Sequence, residues 1–202
     1  WGGGTPGLLR ARDLRRLGKI SHGFLEAGAT PEWSVELTPY CATRGKLAAL
    51  AEVGVNRLSL GVQTFQPRLL EALGRPYDPA TAFAAVDRIR AVATFTVNLD
   101  LIIAIPGQTE ADLDADLEAV LSLDPDHVST YCLTVEDDTP LLFRLGRAGH
   151  RPDETFEADR YRQAWERLRA AGYSHYEVSN FAKPGRECLH NLNTWRMGDW
   201  LG

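Results

Sequence analysis

The chain has few of the residues that mark a disulfide-linked or metal-binding protein. Its 202 residues include three cysteines, Cys41, Cys132 and Cys188, which lie far apart and form no CxxC pair. An odd number of widely spaced cysteines fits a reducing compartment better than a disulfide framework. We therefore expect a cytoplasmic protein in which these three thiols bind no metal.

A long hydrophobic run and an excess of positive charge are also missing. No apolar stretch approaches the roughly 20 residues that a membrane-spanning helix needs. The formal net charge is −5, which argues against nucleic acid or an anionic membrane surface as a partner. Hydrophobic residues at 44% and charged residues at 24% are typical of a globular domain.

The chain has one methionine, Met197, and opens on the glycine-rich turn GGGTP at residues 2–6. Such a turn follows a strand in many folds, so we expect the sequence to belong to a longer protein. Glycines let backbone N–H groups approach a charged ligand closely. Taken alone, however, this turn is better explained as an ordinary tight loop.

Short apolar strands alternate with helical stretches along most of the chain. We predict strands at 33–37, 57–62, 96–103 and 127–133, and helices at 43–53, 67–73, 79–93 and 110–121. This alternation indicates parallel βα units. Because the sequence has no GxGxxG motif, an α/β fold with a full or partial (β/α) barrel is favoured over a dinucleotide-binding fold. In such barrels the chemistry lies where the strands end.

The periodicity breaks after Leu133, and this break suggests two regions. We predict that residues 1–150 form the partial barrel and that residues 151–202 form a C-terminal α/β extension. The extension begins with a helix at 155–171, whose aromatic and leucine side chains recur on one face. Its remaining residues are rich in aromatics, asparagine and glycine.

Polar side chains interrupt or end three of the predicted strands. Glu36, Gln63 and Asp100 occupy positions where an apolar residue is expected. Any one of them alone is better explained as a buried group that bonds to its neighbours. Three on successive strands, together with the glycine turn, suggest a shared polar ligand. Arg75 could grip a carboxylate of that ligand, although alone it reads as a solvated arginine at a helix end.

Five segments, taken in order, resemble the radical S-adenosylmethionine proteins related to oxygen-independent coproporphyrinogen III oxidase. They are GGGTP at 2–6, NRLSLGVQTF at 56–65, LGR at 73–75, NLDLIIAIPGQT at 98–109 and HNLNTW at 190–195. The combination is far more specific than any single segment. The tail at 177–195 resembles the haem-chaperone branch more closely than the oxidase itself.

This resemblance implies three ligands: S-adenosylmethionine, a [4Fe-4S] cluster and haem. It implies that S-adenosylmethionine is bound by Gly3, Gly4, Thr5, Glu36, Gln63, Arg75 and Asp100. It also implies that His190 binds the haem iron, for which imidazole is a suitable axial ligand. A structural histidine, satisfied by local backbone, stays open as the alternative for His190.

The sequence departs from the family pattern in ways that bear on chemistry. The family holds its cluster with a CxxxCxxC motif that precedes the glycine turn, and the sequence does not contain this motif. We therefore expect the cluster ligands upstream, and no cleavage of S-adenosylmethionine by this chain alone. Two smaller departures are Tyr77, where the family has histidine, and Thr194, where it has tyrosine.

The resemblance supports one function over two others. The leading hypothesis is a haem chaperone that binds haem and S-adenosylmethionine and delivers haem to acceptor proteins. The alternative is an oxygen-independent coproporphyrinogen III oxidase, an oxidoreductase of porphyrin biosynthesis that decarboxylates propionates. The third is a barrel that serves only as a scaffold. The sequence of the tail at 177–195 favours the chaperone. The resemblance also leaves open that the protein forms a homodimer and that its haem acceptor is a membrane protein.

Overall fold

A computed structural model describes residues 1–2, 4–24, 31–134 and 154–199 of the chain. These residues build a six-stranded sheet with the order β1-β2-β3-β4-β6-β5. The strands are β1 (Ser34–Leu37), β2 (Arg57–Gln63), β3 (Thr96–Ile103), β4 (His127–Cys132), β5 (Ser174–His175) and β6 (Asn180–Ala182). Strands β1 to β4 are parallel, and β6 and β5 continue the sheet in antiparallel pairing. The predicted succession of parallel βα units is therefore present.

Seven α-helices lie within the described residues. They are α1 (Ala11–His22), α2 (Arg44–Glu52), α3 (Pro67–Ala72), α4 (Pro79–Val92), α5 (Glu110–Ser122), α6 (Glu154–Ala170) and α7 (Leu189–Trp195). Local sequence explains the sharpest boundaries. Helix α4 begins after Asp78, whose carboxylate accepts from the Thr81 N–H, and α5 begins at a capping box of Thr109 and Asp112. These elements match their predicted bounds to within one residue.

The two faces of the sheet differ sharply in character, because side chains alternate along a strand. One face packs against the helices and holds the core, including Leu58, Leu60, Leu99 and Leu101, all 0% exposed. The opposite face carries polar side chains at the intervening positions. We call it the polar face, and its members are Glu36, Ser59, Asn98, Asp100, His127 and Ser129.

Three features of the fold were missed by the sequence analysis, and the helix α7 is one of them. No element was predicted where α1 lies, although Leu14 and Gly18 recur at helical spacing among its charged residues. Gly18 is buried against α2, and a Cβ at this position would lie 2.5 Å from Cβ of Val53. The third missed feature is that β5 and β6 join the barrel sheet directly. The predicted domain boundary between residues 150 and 151 lies outside the described residues and stays a prediction.

A buried carboxylate joins α5 to the turn that follows β2. Asp116 is 1% exposed, and its oxygens accept from the Thr64 hydroxyl at 2.7 Å, the Phe65 N–H at 2.7 Å and Gln66 Nε2 at 3.0 Å. Burial raises the pKa of the Asp116 carboxyl, and these three donors oppose that rise. The Asp116 side chain of α5 therefore holds the turn after β2 in place by hydrogen bonds.

Replacing this carboxylate should cost far more than replacing an exposed neighbour. We expect Asp116→Ala to lower the free energy of unfolding by about 2–4 kcal/mol, because buried donors on the turn lose their acceptor. Asp114→Ala, on the exposed side of the same helix, should change it by less than about 0.5 kcal/mol. Urea unfolding followed by circular dichroism measures both. Equal effects of the two variants would contradict the assigned role of Asp116.

Candidate functional site

Strand register aligns four polar side chains in one row across the polar face. Glu36 on β1 pairs with Ser59 on β2, Ser59 with Asn98 on β3, and Asn98 with His127 on β4. Neighbouring strands lie only about 4.8 Å apart, so each of these side chains is beside the next. Residues distant in sequence thus meet as a single polar surface.

Asp100 lies two residues after Asn98 on β3, and its side chain is therefore on the same face of the sheet. Its carboxylate accepts from the Ser59 hydroxyl at 3.0 and 3.2 Å and from Asn98 Nδ2 at 2.6 Å. Burial raises the pKa of the Asp100 carboxyl, while hydrogen bonds from Ser59 and Asn98 work against that shift. Burial, and then the negative charge of Asp100, also raise the pKa of Glu36. Two of the predicted residues therefore form one acidic surface.

The start of the glycine turn lies directly against Glu36. The Glu36 N–H donates to the carbonyl of Trp1 at 3.1 Å, which sets the turn beside β1. A Cβ at Gly2 would lie 2.6 Å from Glu36 Oε1, so a side chain at this position would displace the carboxylate. Glycine at position 2 therefore lets the turn lie directly against the Glu36 side chain.

The later residues of the turn are less enclosed. Nothing lies within 4 Å of the position that a Cβ on Gly4 would occupy, so its backbone borders open space. Thr5 precedes a one-turn 3-10 helix, Pro6–Leu8. Gly3, which was also predicted to bind the ligand, lies outside the described residues.

Gln63 ends β2 at an irregularity in the pairing with β3. Its φ of 70° is in the left-handed region, which is uncommon for a residue with a side chain. The Tyr77 hydroxyl holds this strand end by hydrogen bonding to the backbone, at 2.9 Å from the Gly61 carbonyl oxygen and 2.8 Å from the Val62 carbonyl oxygen. Burial raises the pKa of Tyr77 to about 12, so the hydroxyl remains a donor at neutral pH. Tyr77 therefore supports the backbone beside Gln63.

Arg75 lies apart from the acidic surface. It follows Gly74 at the end of α3, where its N–H donates to the Leu70 carbonyl at 2.8 Å, and its side chain is exposed. Its charge acts on the Tyr77 hydroxyl. Among the bonds of the described residues, none joins the Arg75 side chain to Glu36 or Asp100. The structure thus brings together part of the predicted set, and the Arg75 side chain is not bonded to that part.

A cavity of about 720 Å³ opens on the polar face. Glu36, Ser59 and His127 line it from the sheet, and His190 and Asn191 line it from α7. The carboxylate predicted for one ligand and the histidine predicted for another therefore face the same space. Sequence reasoning placed both residues in a site but could not place them in a common cavity.

A buried ion pair holds α7 at the amino-terminal ends of β1 and β2. Arg57 is 4% exposed, and its Nε donates to Glu32 Oε2 at 2.8 Å. Arg57 Nη2 donates to the carbonyls of Arg186 and Glu187, at 2.8 and 2.9 Å, just before α7. Glu32 Oε1 accepts from the Leu189 N–H at 2.9 Å. Both ends of the ion pair therefore fix the segment that carries His190.

Neither member of this pair was selected from the sequence, although a signal was available. Arg57 is a charged residue that opens the apolar strand RLSLGV, and Glu32 lies two positions before β1. A buried charge needs a partner, so Arg57 could have been used to predict a nearby carboxylate. It could not have predicted which carboxylate, because the two residues meet only once β1 and β2 are paired.

His127 is the second functional candidate that the sequence analysis missed. It is 2% exposed, with Nδ1 at 2.6 Å from Asn98 Oδ1 and Nε2 at 2.7 Å from the Tyr176 hydroxyl. Burial lowers the pKa of His127 to about 3, and the nearby charge of Arg57 adds to that effect. The imidazole is therefore neutral at physiological pH and serves as a hydrogen-bonding group.

Comparison with known proteins assigns the family. The model of the radical SAM superfamily matches residues 1–120, more than half of the sequence. The chain belongs to the radical SAM superfamily. It is 39% identical over 204 residues to "Heme chaperone HemW" of Bacillus subtilis and 37% identical over 201 residues to that of Escherichia coli. Each alignment covers 100% of this chain, but 54% and 52% of those proteins, so the chain spans about half their length.

Solved structures confirm the fold of this radical SAM chain. Coproporphyrinogen III oxidase (HemN) from Escherichia coli superposes with a TM-score of 0.78 at 29% identity, over 92% of this chain and 43% of that one. The Elp3 protein of Methanocaldococcus infernus gives a TM-score of 0.65 at 17% identity, over 85% and 43%, and shows the fold alone. The predicted partial barrel and the predicted resemblance to the haem-chaperone branch are both confirmed.

The described residues hold neither a candidate metal centre nor a helix that could span a membrane. The three cysteines are free, and no group of three histidine, cysteine or acidic residues in the described ranges is placed to hold a metal ion. Across the same ranges, no helix combines the length and the apolar character needed to cross a membrane.

Breaking the buried ion pair should release α7. We expect Glu32→Gln to increase hydrogen exchange of the Leu189 and His190 amides about tenfold, because Arg57 loses its counter-ion and re-pairs poorly. Hydrogen–deuterium exchange with mass spectrometry measures this segment. Glu52→Gln is the matched control, since it removes the carboxylate of an exposed ion pair with Arg15 and should leave the exchange of α7 unchanged. Unchanged exchange in Glu32→Gln would contradict the anchoring role.

The buried histidine predicts a defined dependence of stability on pH. Its pKa is lower in the folded than in the unfolded chain, so the unfolded chain binds more protons between pH 6.5 and about 3. This group should therefore lower the free energy of unfolding by about 1.4 kcal/mol per pH unit as pH falls through that window. His127→Gln removes this component. Urea titrations at several pH values should show the difference between the two proteins shrinking toward acid pH, whereas parallel curves would refute the assignment.

Proposed function

We propose that this protein is a haem chaperone that binds haem and S-adenosylmethionine and delivers haem to acceptor proteins. The observation that carries the proposal is the common cavity, which Glu36 lines from the sheet and His190 lines from α7. Relatives of 37–39% identity that are named as haem chaperones support the same conclusion. Because the chain spans about half of their length, the activity is proposed for the protein as a whole.

The polar face suits S-adenosylmethionine by its chemistry. The ligand offers an ammonium group and ribose hydroxyls as donors, and Glu36 and Asp100 present carboxylate acceptors for them. Its carboxylate suits the backbone N–H groups of Gly3, Gly4 and Thr5 and the guanidinium of Arg75. Gln63 supplies an amide at the adjoining strand end. We propose this set of seven residues as the binding site.

The residues of this chain do not fit a [4Fe-4S] cluster. Cys41, Cys132 and Cys188 are free and far apart in sequence, and no suitable group of ligands occurs among the described residues. The cluster would therefore depend on the cysteine motif that the family carries before its glycine turn. When the cluster and S-adenosylmethionine are both bound, they supply radical chemistry in this superfamily. This chain contributes binding and orientation.

His190 is the proposed haem ligand. It is exposed at the start of α7, where Glu32 and Arg57 fix the backbone, and its imidazole is a suitable axial ligand. Trp195 on the same helix is 58% exposed, and its Nε1 donates to Glu177 Oε2 at 2.8 Å. Its indole could stack on a porphyrin while this hydrogen bond holds it.

A haem titration of the His190→Ala variant tests the proposal. We expect its affinity for haem, followed by the Soret band, to fall at least about tenfold with a shift of the band, because the iron loses its axial ligand. His175→Ala on β5 is the control and should bind haem like the parent. Unchanged affinity and spectrum in His190→Ala would exclude this ligand.

The superposition with the oxidase favours a second candidate, oxygen-independent coproporphyrinogen III oxidase. Incubation of the cluster-loaded protein with S-adenosylmethionine, a reductant and coproporphyrinogen III separates the two functions. The chaperone proposal predicts no decarboxylated product, whereas formation of protoporphyrinogen would support the oxidase. A cytoplasmic location, a homodimer and transient contact with a membrane-bound acceptor belong to the chaperone proposal and follow from the resemblance. We also propose that residues 1–150 form the partial barrel and that residues 151–202 form the C-terminal extension.

A further inference from the structure

A continuous series of hydrogen bonds crosses the sheet between α7 and Asp100. The Cys188 N–H, at the start of α7, donates to the Tyr176 hydroxyl at 3.2 Å. That hydroxyl lies 2.7 Å from Nε2 of His127, and Nδ1 of His127 lies 2.6 Å from Asn98 Oδ1. Asn98 Nδ2 then reaches Asp100 Oδ1 at 2.6 Å. Three strands separate the first and last members in sequence, and the strand register brings them together.

The partners at each position allow only one direction for these bonds. Asn98 Nδ2 lies 2.6 Å from both the Ser59 hydroxyl and the Asp100 carboxylate, so its amide oxygen faces His127. An amide oxygen can only accept, and Nδ1 of His127 must therefore carry the proton. In a neutral imidazole Nε2 is then an acceptor, which makes the Tyr176 hydroxyl its donor. Every bond in the series consequently points toward Asp100.

We propose that His127 is a positioning residue that couples the placement of α7 to the orientation of the Asp100 carboxylate. The inference rests on the proposed function, in which α7 carries the haem ligand and Asp100 belongs to the S-adenosylmethionine site. The two ligands would then influence each other's affinity through the series, because a coupling between sites is reciprocal.

The burial of His127 and Asn98 explains why a movement of α7 would be transmitted through the hydrogen bonds to Asp100. His127 and Asn98 are 2% and 5% exposed, so water has little access to replace a partner that moves away. A rotation of any member leaves a buried donor or acceptor unpaired, which is costly. A second contact ties the same hydroxyl to α7, since Asn191 Nδ2 lies 3.4 Å from Tyr176. Movement of α7 therefore cannot leave Tyr176, and with it His127, unaffected.

Histidine nitrogen spectroscopy tests the direction of the series. Long-range 1H–15N correlation of the full protein should show His127 protonated on Nδ1, the minor tautomer of a free imidazole. His22 and His175 are internal controls, because their Nε2 atoms lie 2.8 and 3.2 Å from the carbonyls of Val53 and Val178. Both should be protonated on Nε2. A proton on Nε2 of His127 would overturn the proposal.

A matched pair of tyrosine variants tests the coupling. Tyr176→Phe removes the donor to His127, and we expect it to weaken S-adenosylmethionine binding about threefold to tenfold in the cluster-loaded protein. Tyr173→Phe is the control, because it removes a buried hydroxyl that donates to the Pro125 carbonyl at 2.7 Å outside the series. Calorimetric titration measures both. Equal affinities in the two variants would mean that His127 is only structural, and would overturn the proposal.

Failure of the proposed function gives a different result. If the parent protein binds no S-adenosylmethionine, the proposed function fails, and the coupling fails with it whatever the tautomer of His127. If the parent binds the ligand but its addition leaves the nitrogen shifts of His127 unchanged, the function stands and the coupling is refuted. Binding together with a shift of His127 that Tyr176→Phe abolishes supports both.

Discussion

The parallel register of β1 to β4 is the constraint on which the site depends. It places Glu36, Ser59, Asn98 and His127 in one row, on the face of the sheet opposite the hydrophobic core. The buried members of this row, Asn98 and His127, need hydrogen-bond partners. These two bond to each other, whereas the carboxylate of Glu36 faces the cavity. The same register therefore produces both a fixed scaffold and an available acceptor.

The buried pair of Arg57 and Glu32 lies at the amino-terminal ends of the same strands, close to this row. The pair of Arg57 and Glu32 fixes the segment before α7, and Tyr176 connects that segment to the row through His127. The cavity thus lies between a sheet face that is fixed by register and a helix that is fixed by a salt bridge.

The sequence predicted the elements well because their signals are local. The strand at 96–103 is a nearly unbroken apolar run, and Thr109 with Asp112 marks the start of α5, so both could be placed from a few residues. Glu36 and Asp100 were selected because a polar residue in an apolar strand stands out. His127 and Arg57 were not selected, since their importance depends on partners 25 or more positions away. Tyr176 acquires its role only once the tail has folded back onto β4.

The proposal that Glu36 and Asp100 form one binding surface with the glycine turn is best tested by a crystal structure of the protein with its cluster assembled and S-adenosylmethionine bound. It predicts donors of the ligand at about 3 Å from both carboxylates, with the ligand in the cavity that His190 borders. A ligand bound elsewhere, with Glu36 and Asp100 bonded only to protein, would contradict it.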